Sequence, residues 1–553
     1  MILLGTNFRL HNKRLAAALL VALMIALAAC GGGAATEPPT SDETPSSTQD
    51  GATEEPSAPQ ENPAQEESTE ANTGSDQERA GTLRVAMQPI VNIDPIAISS
   101  DSEVLVANHV YDYLVDIDHL SNPVPRLATG WNISEDGLTY TLPLAEGVTW
   151  HDGSPFSAED VVWTFDRLRT TEGTPTFDLY ANIANVEATG DLEVTFTLTN
   201  PNPFFLYDLS DNHALILKAG TTDADSNFNG TGPFVVTNYS PEDRIEMVAN
   251  ENYFVPDQPS LAGLDIIFFN DDTAAIEALR GGQIDLAMRM STALFESLKE
   301  EPGIITSDVP TNGFDLIRLR SDRAPGDDPR VMQALKLATD REAILNVVQQ
   351  GYGALGNDSP IGPLYDAYHD ETVMPPARDI EAARALLAEA GYEDGLQLTL
   401  HTPDTGNRPD LAAVLKEQWS EIGVDVDISV EPESVYYGDD GWLEVDLGIT
   451  GWGSRPYPQF YLDVMLVSDA IWNESHFSDA EFDALAATAG TTLDEAERIQ
   501  AYSDIQRLLA DRGPIIIPYY FAQFGAISDQ FEGLNLKAFA GRTDFRTIRY
   551  LGN

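Results

Sequence analysis

Trp452, Ser454 and Arg455 bring an indole, a small hydroxyl and a guanidinium into four consecutive positions, and Tyr457 and Phe460 add two rings just beyond. The rings can stack on a side chain, a sugar face or an aromatic ligand, and each also suits a core. The serine can hydrogen-bond, and the arginine can receive a neutral or anionic end of a ligand. A second candidate cation, Arg408, stands in Asn407-Arg408-Pro409, and the stretch Ser99-Ser100-Asp101-Ser102 offers small polar groups soon after a first strand. A solvated arginine before a helix accounts for Arg408 equally well. The chemistry is that of binding. The eight histidines are scattered without metal-ligand spacing, and the chain has no Gly-x-Ser-x-Gly elbow and no glycine-rich phosphate loop. Paired carboxylates abound, but in so acidic a chain they read as solvated faces. No catalytic residue, metal site or cofactor is assigned.

The elements that must position these groups follow from periodicity. Val445, Leu447 and Ile449 alternate with Asp446, Gly448 and Thr450, the pattern of a half-buried strand, which is expected to stop at Gly451 and release a loop made irregular by Gly453, Pro456 and Pro458. Loops at strand ends commonly hold ligands, because the sheet fixes their base. Leu83, Val85 and Met87 form a first strand, and Leu192, Val194, Phe196 and Leu198 another with one solvated face. Asp328 with Pro329 starts a helix, Asp379 caps one running to Gly391, Asp410 one running to Gly423, and Asp494 one running to Gly513. Val424 to Val430 alternates as a strand, and Ile515-Ile516-Ile517 reads as a buried one. Helix followed by strand, repeated, is the order of an α/β protein.

At 553 residues the chain exceeds one ordinary core and should form two or three domains. Its net charge of -58 excludes nucleic acid and an anionic membrane surface as direct partners, since both would repel it. The single cysteine, Cys30, excludes an internal disulfide and a cysteine metal site. It ends an apolar run, Leu15 to Ala29, that follows Arg9, Lys13 and Arg14 and is too short to span a bilayer comfortably. Leu27-Ala28-Ala29-Cys30-Gly31 resembles the lipobox of bacterial lipoproteins, which implies cleavage before Cys30 and lipidation of its sulfur. Residues 1–29 are thus expected to be a signal peptide. Residues 30–80, rich in Glu, Pro, Ser, Thr and Gln, are expected to be a flexible acidic tether that keeps the folded part outside the cell membrane, at the surface or in a periplasm.

A set of ordered motifs resembles the signature of bacterial family 5 extracellular solute-binding proteins, the oligopeptide, dipeptide and nickel receptors of ABC importers. The first is Leu127-Ala128-Thr129-Gly130-Trp131, Asp136-Gly137-Leu138-Thr139-Tyr140, Gly147-Val148-Thr149-Trp150-His151-Asp152-Gly153 and Ser157-Ala158-Glu159-Asp160-Val161, with turns at Asp-Gly and a capping box at Ser157 and Asp160. Then come Gly230-Thr231-Gly232-Pro233-Phe234, Asp328 to Leu335 with Asp340-Arg341, Ala385 to Tyr392, and Gly451-Trp452. The resemblance implies an α/β fold of periplasmic-binding-protein type II, a two-lobed venus flytrap with an extra β-rich domain inserted in the first lobe. Lobe I would take residues 81–112, 229–290 and 521–553, the insertion 113–228, and lobe II 291–520. It implies a monomeric receptor that closes on a small solute, most readily a peptide, otherwise an oligosaccharide or other polar or anionic solute, and presents it to the permease subunits of an ABC importer. The membrane is met only through the lipid anchor. A structural role for His151 is implied as well, and nickel is disfavoured by the lack of a histidine cluster. A lipid-anchored secreted hydrolase is the alternative of a different class.

One position departs from the family. Peptide-binding relatives carry an aspartate three residues beyond the Gly-Trp tryptophan to receive the peptide amino terminus, and Arg455 stands there. A guanidinium facing an ammonium in a dry cleft would abolish binding. Either Arg455 points away, or it meets a neutral or anionic ligand end, or Asp463 or Asp446 takes over. Arg408 lies where dipeptide-binding relatives place an arginine for the ligand carboxylate.

Overall fold

A computed structural model describes residues 79–118, 122–438 and 441–552. The signal segment, Cys30 and the tether up to residue 78 lie outside them.

One mixed sheet runs through both lobes. From one edge its strands are Val424–Glu431, Leu396–Pro403, Leu447–Trp452, Ile304–Leu319, Tyr519–Ser528, Leu286–Ala287, Thr82–Met87, Gly263–Phe268, Arg244–Ala249 and Phe234–Ser240. Two long antiparallel strands in the middle join the halves. Ile304–Leu319 pairs with Tyr519–Ser528 from Ile304↔Ser528 to Pro310↔Ala522, shifts register between Pro310 and Phe314, and then pairs with the strand Leu447–Trp452 from Phe314↔Trp452 to Leu319↔Leu447. Such an irregularity bends a strand, so the long strand is bent where it crosses between the lobes.

The β-rich region is a separate antiparallel sheet of Asn132–Ile133, Thr139–Pro143, Glu193–Leu198 and Ile183–Gly190. The helix Ala158–Thr170 covers it, with Phe165 edge-on to Phe196 at 4.9 Å. The Asp160 carboxylate accepts from the Ser157 backbone N–H at 2.9 Å, as the capping pattern requires. Gly137 in the Asp-Gly turn has φ +66°, a conformation that favours glycine. Trp150 is buried, and the His151 ring meets the carbonyls of Phe228 and Gly232 at 3.3 and 3.0 Å, which ties this unit to the Gly-Thr-Gly-Pro-Phe segment. A buried charge cluster ties the segment 112–126 to the C-terminal segment: Arg126 donates to Asp112 (2.6 Å) and Asp116 (2.7 Å), and Arg542 reaches Asp116 at 2.7 Å.

Asp328, Asp379 and Asp494 cap helices as expected. Asp410 does not. The helix spans Arg408–Ser420 with Asn407 at its cap, because Pro409 suits the first turn, where no N–H is needed. Arg408 therefore belongs to that helix and not to the loop before it. The strand Leu447–Trp452 also differs: it continues through Trp452, and Gly448 and Thr450 are as buried as Leu447 and Ile449. It is a central strand, flanked by Leu396–Pro403 and Ile304–Leu319, and its small residues make room for neighbours instead of facing water. The Gly448 Cα lies against the Tyr436 hydroxyl and the Arg318 guanidinium, so a Cβ there would stand 2.8 and 2.9 Å from them.

Candidate functional site

The geometry around Gly451 explains why that residue has no side chain. Gly451 pairs with Asp315 across the sheet, and Arg408 projects from the first turn of its helix over the glycine. A Cβ on Gly451 would stand 1.8 Å from an Arg408 terminal nitrogen. Arg408 Nε donates to Asp315 Oδ1 at 2.8 Å and Nη1 to Thr405 Oγ1 at 3.0 Å, while the Tyr519 hydroxyl donates to Asp315 Oδ2 at 2.6 Å. Desolvation pushes the Asp315 carboxyl up even against the pull of Arg408, and the charge of Asp315 carries Arg408 above its usual value although burial opposes it. The pair is thus partly buried and firmly held. Its second terminal nitrogen, Nη2, makes no hydrogen bond among the described residues.

Trp452 is held from behind. Its Nε1 donates to Glu474 Oε1 at 3.2 Å, and its ring packs beside Tyr461 and Trp472 at 6.2 and 6.0 Å. Glu474 is buried and also accepts from Thr450 Oγ1 (2.7 Å) and from Arg318 Nε (3.2 Å), itself fully buried. With 7% of its surface exposed, Trp452 can offer a ligand only an edge.

Beyond it the loop turns outward. Ser454 Oγ accepts from the Asn312 backbone N–H at 3.2 Å, and the Tyr461 hydroxyl donates to the Gly453 carbonyl at 2.7 Å, so the loop base is pinned to the segment of the long strand where its register shifts. Arg455 is exposed, with its guanidinium 4.7 Å from the centre of the Phe460 ring. Among the described residues no carboxylate lies within ion-pair distance of it. Its backbone carbonyl, by contrast, is fixed by the Tyr365 hydroxyl at 2.7 Å. Tyr457 is half-buried and stacked on Phe204 at 4.9 Å.

The two stand-in acids separate. Asp446 pairs with Arg323 at the other end of the strand. Asp463 is exposed, accepts from Gln459 Nε2 at 2.7 Å, and has a carboxyl raised by desolvation against that hydrogen bond.

The polar stretch at 99–102 is a helix start. Ser100 caps Asp101–Val110, accepting from the Glu103 N–H at 3.3 Å, and the Glu103 carboxylate accepts from the backbone N–H groups of Ser99 (2.8 Å) and Ser100 (3.0 Å). Asp101 Oδ1 accepts from the Gly541 N–H at 3.3 Å. No hydrogen bond or ring contact among the described residues joins this stretch to the 451–460 loop. Among the described residues there is also no cluster of three or more metal-ligating side chains.

Two lobes on one continuous sheet, with a polar and aromatic loop at the end of a central strand, fit a class: the solute-binding receptors that close on a ligand. The profile of bacterial extracellular solute-binding proteins, family 5 (middle region), matches residues 122–473, and the chain belongs to that family. Di/tripeptide-binding protein 1 of Pseudomonas aeruginosa is 29% identical over 449 residues, covering 74% of this chain and 83% of that protein. Heme-binding protein A of Haemophilus influenzae is 30% identical over 464 residues, covering 77% and 84%. The structure of HbpA2 from Haemophilus parasuis shares the fold, with a TM-score of 0.75 at 24% identity over 85% of this chain and all of that one. Family members are extracytoplasmic and bind solutes without transforming them.

Proposed function

We propose that this chain is a lipid-anchored extracytoplasmic receptor that captures a peptide in the cleft between its lobes and delivers it intact to the permease of an ABC importer. The lobe and insertion boundaries, the monomeric state, the signal peptide and lipidation at Cys30 are part of the same reading. The observation that carries it is Arg408: a guanidinium oriented by a buried aspartate over a bare strand backbone at Gly451, with one terminal nitrogen left for a ligand carboxylate. The di/tripeptide-binding relative supports the peptide class. Trp452 contributes an edge, and Ser454, Tyr457 and Phe460 shape the loop. The capped turn at Ser99, Ser100 and Asp101 would meet the ligand from the first lobe.

A second reading, a polar anionic solute, is favoured by Arg455. This cation is exposed and has no carboxylate partner among the described residues, where an ammonium-binding acid would be expected for peptides, and one relative of similar identity is named for heme. The two readings separate in a calorimetric panel of free, N-acetylated and C-amidated peptides, oligosaccharides and anionic solutes. Free or N-acetylated peptides are expected to bind. Amidating the C-terminus, or Arg408→Met, should weaken them by about tenfold to a hundredfold, the worth of one charge-assisted pair. Tight binding of free dipeptides that Arg455→Asp leaves unchanged would remove Arg455 from the site.

A further inference from the structure

Phe204 and Phe205 are neighbours in the chain and belong to different cores. Phe205 lies edge-on to Tyr140 (4.8 Å) and Phe196 (5.5 Å) in the β-rich sheet. Phe204, 2% exposed, is buried among side chains of the second lobe. Its ring is stacked on Tyr457 at 4.9 Å and 11°, edge-on to Tyr368 and Tyr502, with the Arg498 guanidinium 5.9 Å from its centre. Four residues further, Asp208 accepts from the Tyr457 hydroxyl at 3.3 Å and from Asn202 Nδ2 at 2.7 Å. At the end of the same sheet, Gly137 packs so closely on Leu493 that a Cβ would stand 2.7 Å from its methyl carbon. The contacts of Phe204, of Asp208 with Tyr457, and of Gly137 with Leu493 join the inserted β-rich region to the second lobe. Two of them end on Tyr457, two residues beyond Arg455.

The charges around this junction are unbalanced. Asp208 is pushed up to about 8 by burial and then by Asp211, against the hydrogen bonds from Asn202 and Tyr457. Asp211 has its own counter-charges in His213 (2.6 Å) and Arg542. The remaining titratable groups facing Asp208 are the phenols of Tyr140, Tyr180 and Tyr457, with Arg498 acting on Tyr140 from the second lobe. No cation meets the Asp208 carboxylate directly among the described residues.

We propose that Phe204 and Asp208 are positioning residues that latch the inserted region onto Tyr457, so that lobe closure and the shape of the 451–460 loop are set together and depend on protonation of Asp208. That this loop holds the ligand rests on the proposed function; the latch itself does not need a ligand to be observed. A carboxyl whose value is raised in the latched state binds its proton more tightly there. The latch is then strongest below the ordinary carboxyl value and weakens as pH rises toward about 8, with no further change above.

The test is a spin-label distance measurement on the full chain with Cys30→Ser and labels at Glu172→Cys and Glu495→Cys, both exposed, without ligand. The ratio of short to long distances in the parent should fall at least tenfold between pH 5 and pH 8.5. Asp208→Asn, which keeps an acceptor for Tyr457, should hold the short distance at both values. Phe204→Ala should populate the long distance throughout. Tyr457→Phe retains the stacked ring and loses only the hydroxyl, and it should lengthen the mean distance at pH 5 even if Phe204→Ala does not fold. A pH response that survives in Asp208→Asn, or distances unchanged in Tyr457→Phe, would overturn the latch. A failed peptide screen would leave these distances untouched, so the two failures are distinguishable.

Discussion

Glu474 organises the residues behind the candidate loop. Its two oxygens receive Trp452, Thr450 and Arg318, and the last is a full charge with none of its surface in water. Burial alone raises the Glu474 carboxyl, and Arg318, Thr450 and Trp452 pull it back toward ionisation. Glu474→Gln would keep the shape and leave the Arg318 charge uncompensated, a loss of about 3 kcal/mol or more in unfolding free energy by denaturant titration. A loss below about 1 kcal/mol would mean that the pair is not charged as described. None of this was legible beforehand. Glu474 lies 22 residues from Trp452, and Asp315 lies 93 from Arg408, and no local pattern marks either acid in a chain with 89 of them. The aromatic and cationic run at 452–460 was legible as a group, but which ring faces the core is decided by those distant partners. Tyr457 and Trp452 turn inward while Arg455 stays out.

At the level of elements, capping and periodicity carried most of the information. Asp328, Asp379 and Asp494 start helices because an aspartate can accept the first free N–H groups, a purely local demand. Capping chemistry alone puts the start at Asp410, three residues past Asn407, since an aspartate one turn later suits a cap equally well. The strand Leu447–Trp452 is legible as a strand but not in its burial, because alternation of large and small residues looks the same whether the small ones face water or a packed neighbour. Lys336 shows a capping role that pattern does not reveal. On the helix Pro329–Ala338 it is fully buried and donates to the Leu509 carbonyl near the end of the helix Glu495–Arg512, a carbonyl that the Gly513 N–H also satisfies at 3.0 Å. Burial lowers its amine from 10.5 to about 8, although Asp358 opposes this. A base whose folded value is depressed costs stability while it is protonated in the fold, so the parent should gain stability as pH rises from about 8 to 10.5. Lys336→Met, of similar length and with the carbonyl still paired, should be as stable as the parent or more so at pH 7, with the difference shrinking by pH 10.5. Thermal unfolding at the two values checks this. A loss of several degrees at pH 7 would show that the lysine holds the two helices together.

On the scale of the molecule, the two strands Ile304–Leu319 and Tyr519–Ser528 make the lobes parts of one sheet, and the register shift beside Asn312 bends the crossing between them. The Gly-Trp loop is pinned to that same segment through Ser454, and through Tyr457 to the inserted region, so three parts of the chain converge on it. The two-lobed plan and the inserted sheet were legible through ordered motifs rather than through physics alone, and the contact between insertion and second lobe was not legible at all. Phe204 and Phe205 look alike in the sequence and are sorted into different cores only by the assembled fold. A receptor of this kind binds its ligand and leaves it intact, and one measurement addresses both halves of that claim. The purified chain is equilibrated with a mixed library of di- to tetrapeptides, separated from free solute, denatured, and the released molecules weighed by mass spectrometry. The chain should retain a defined set of peptides, recovered at their original masses, and saturation at a hundred times the dissociation constant should raise its stability by about 2.7 kcal/mol. Recovery of no peptide, or of hydrolysed fragments in place of the peptides supplied, would contradict it.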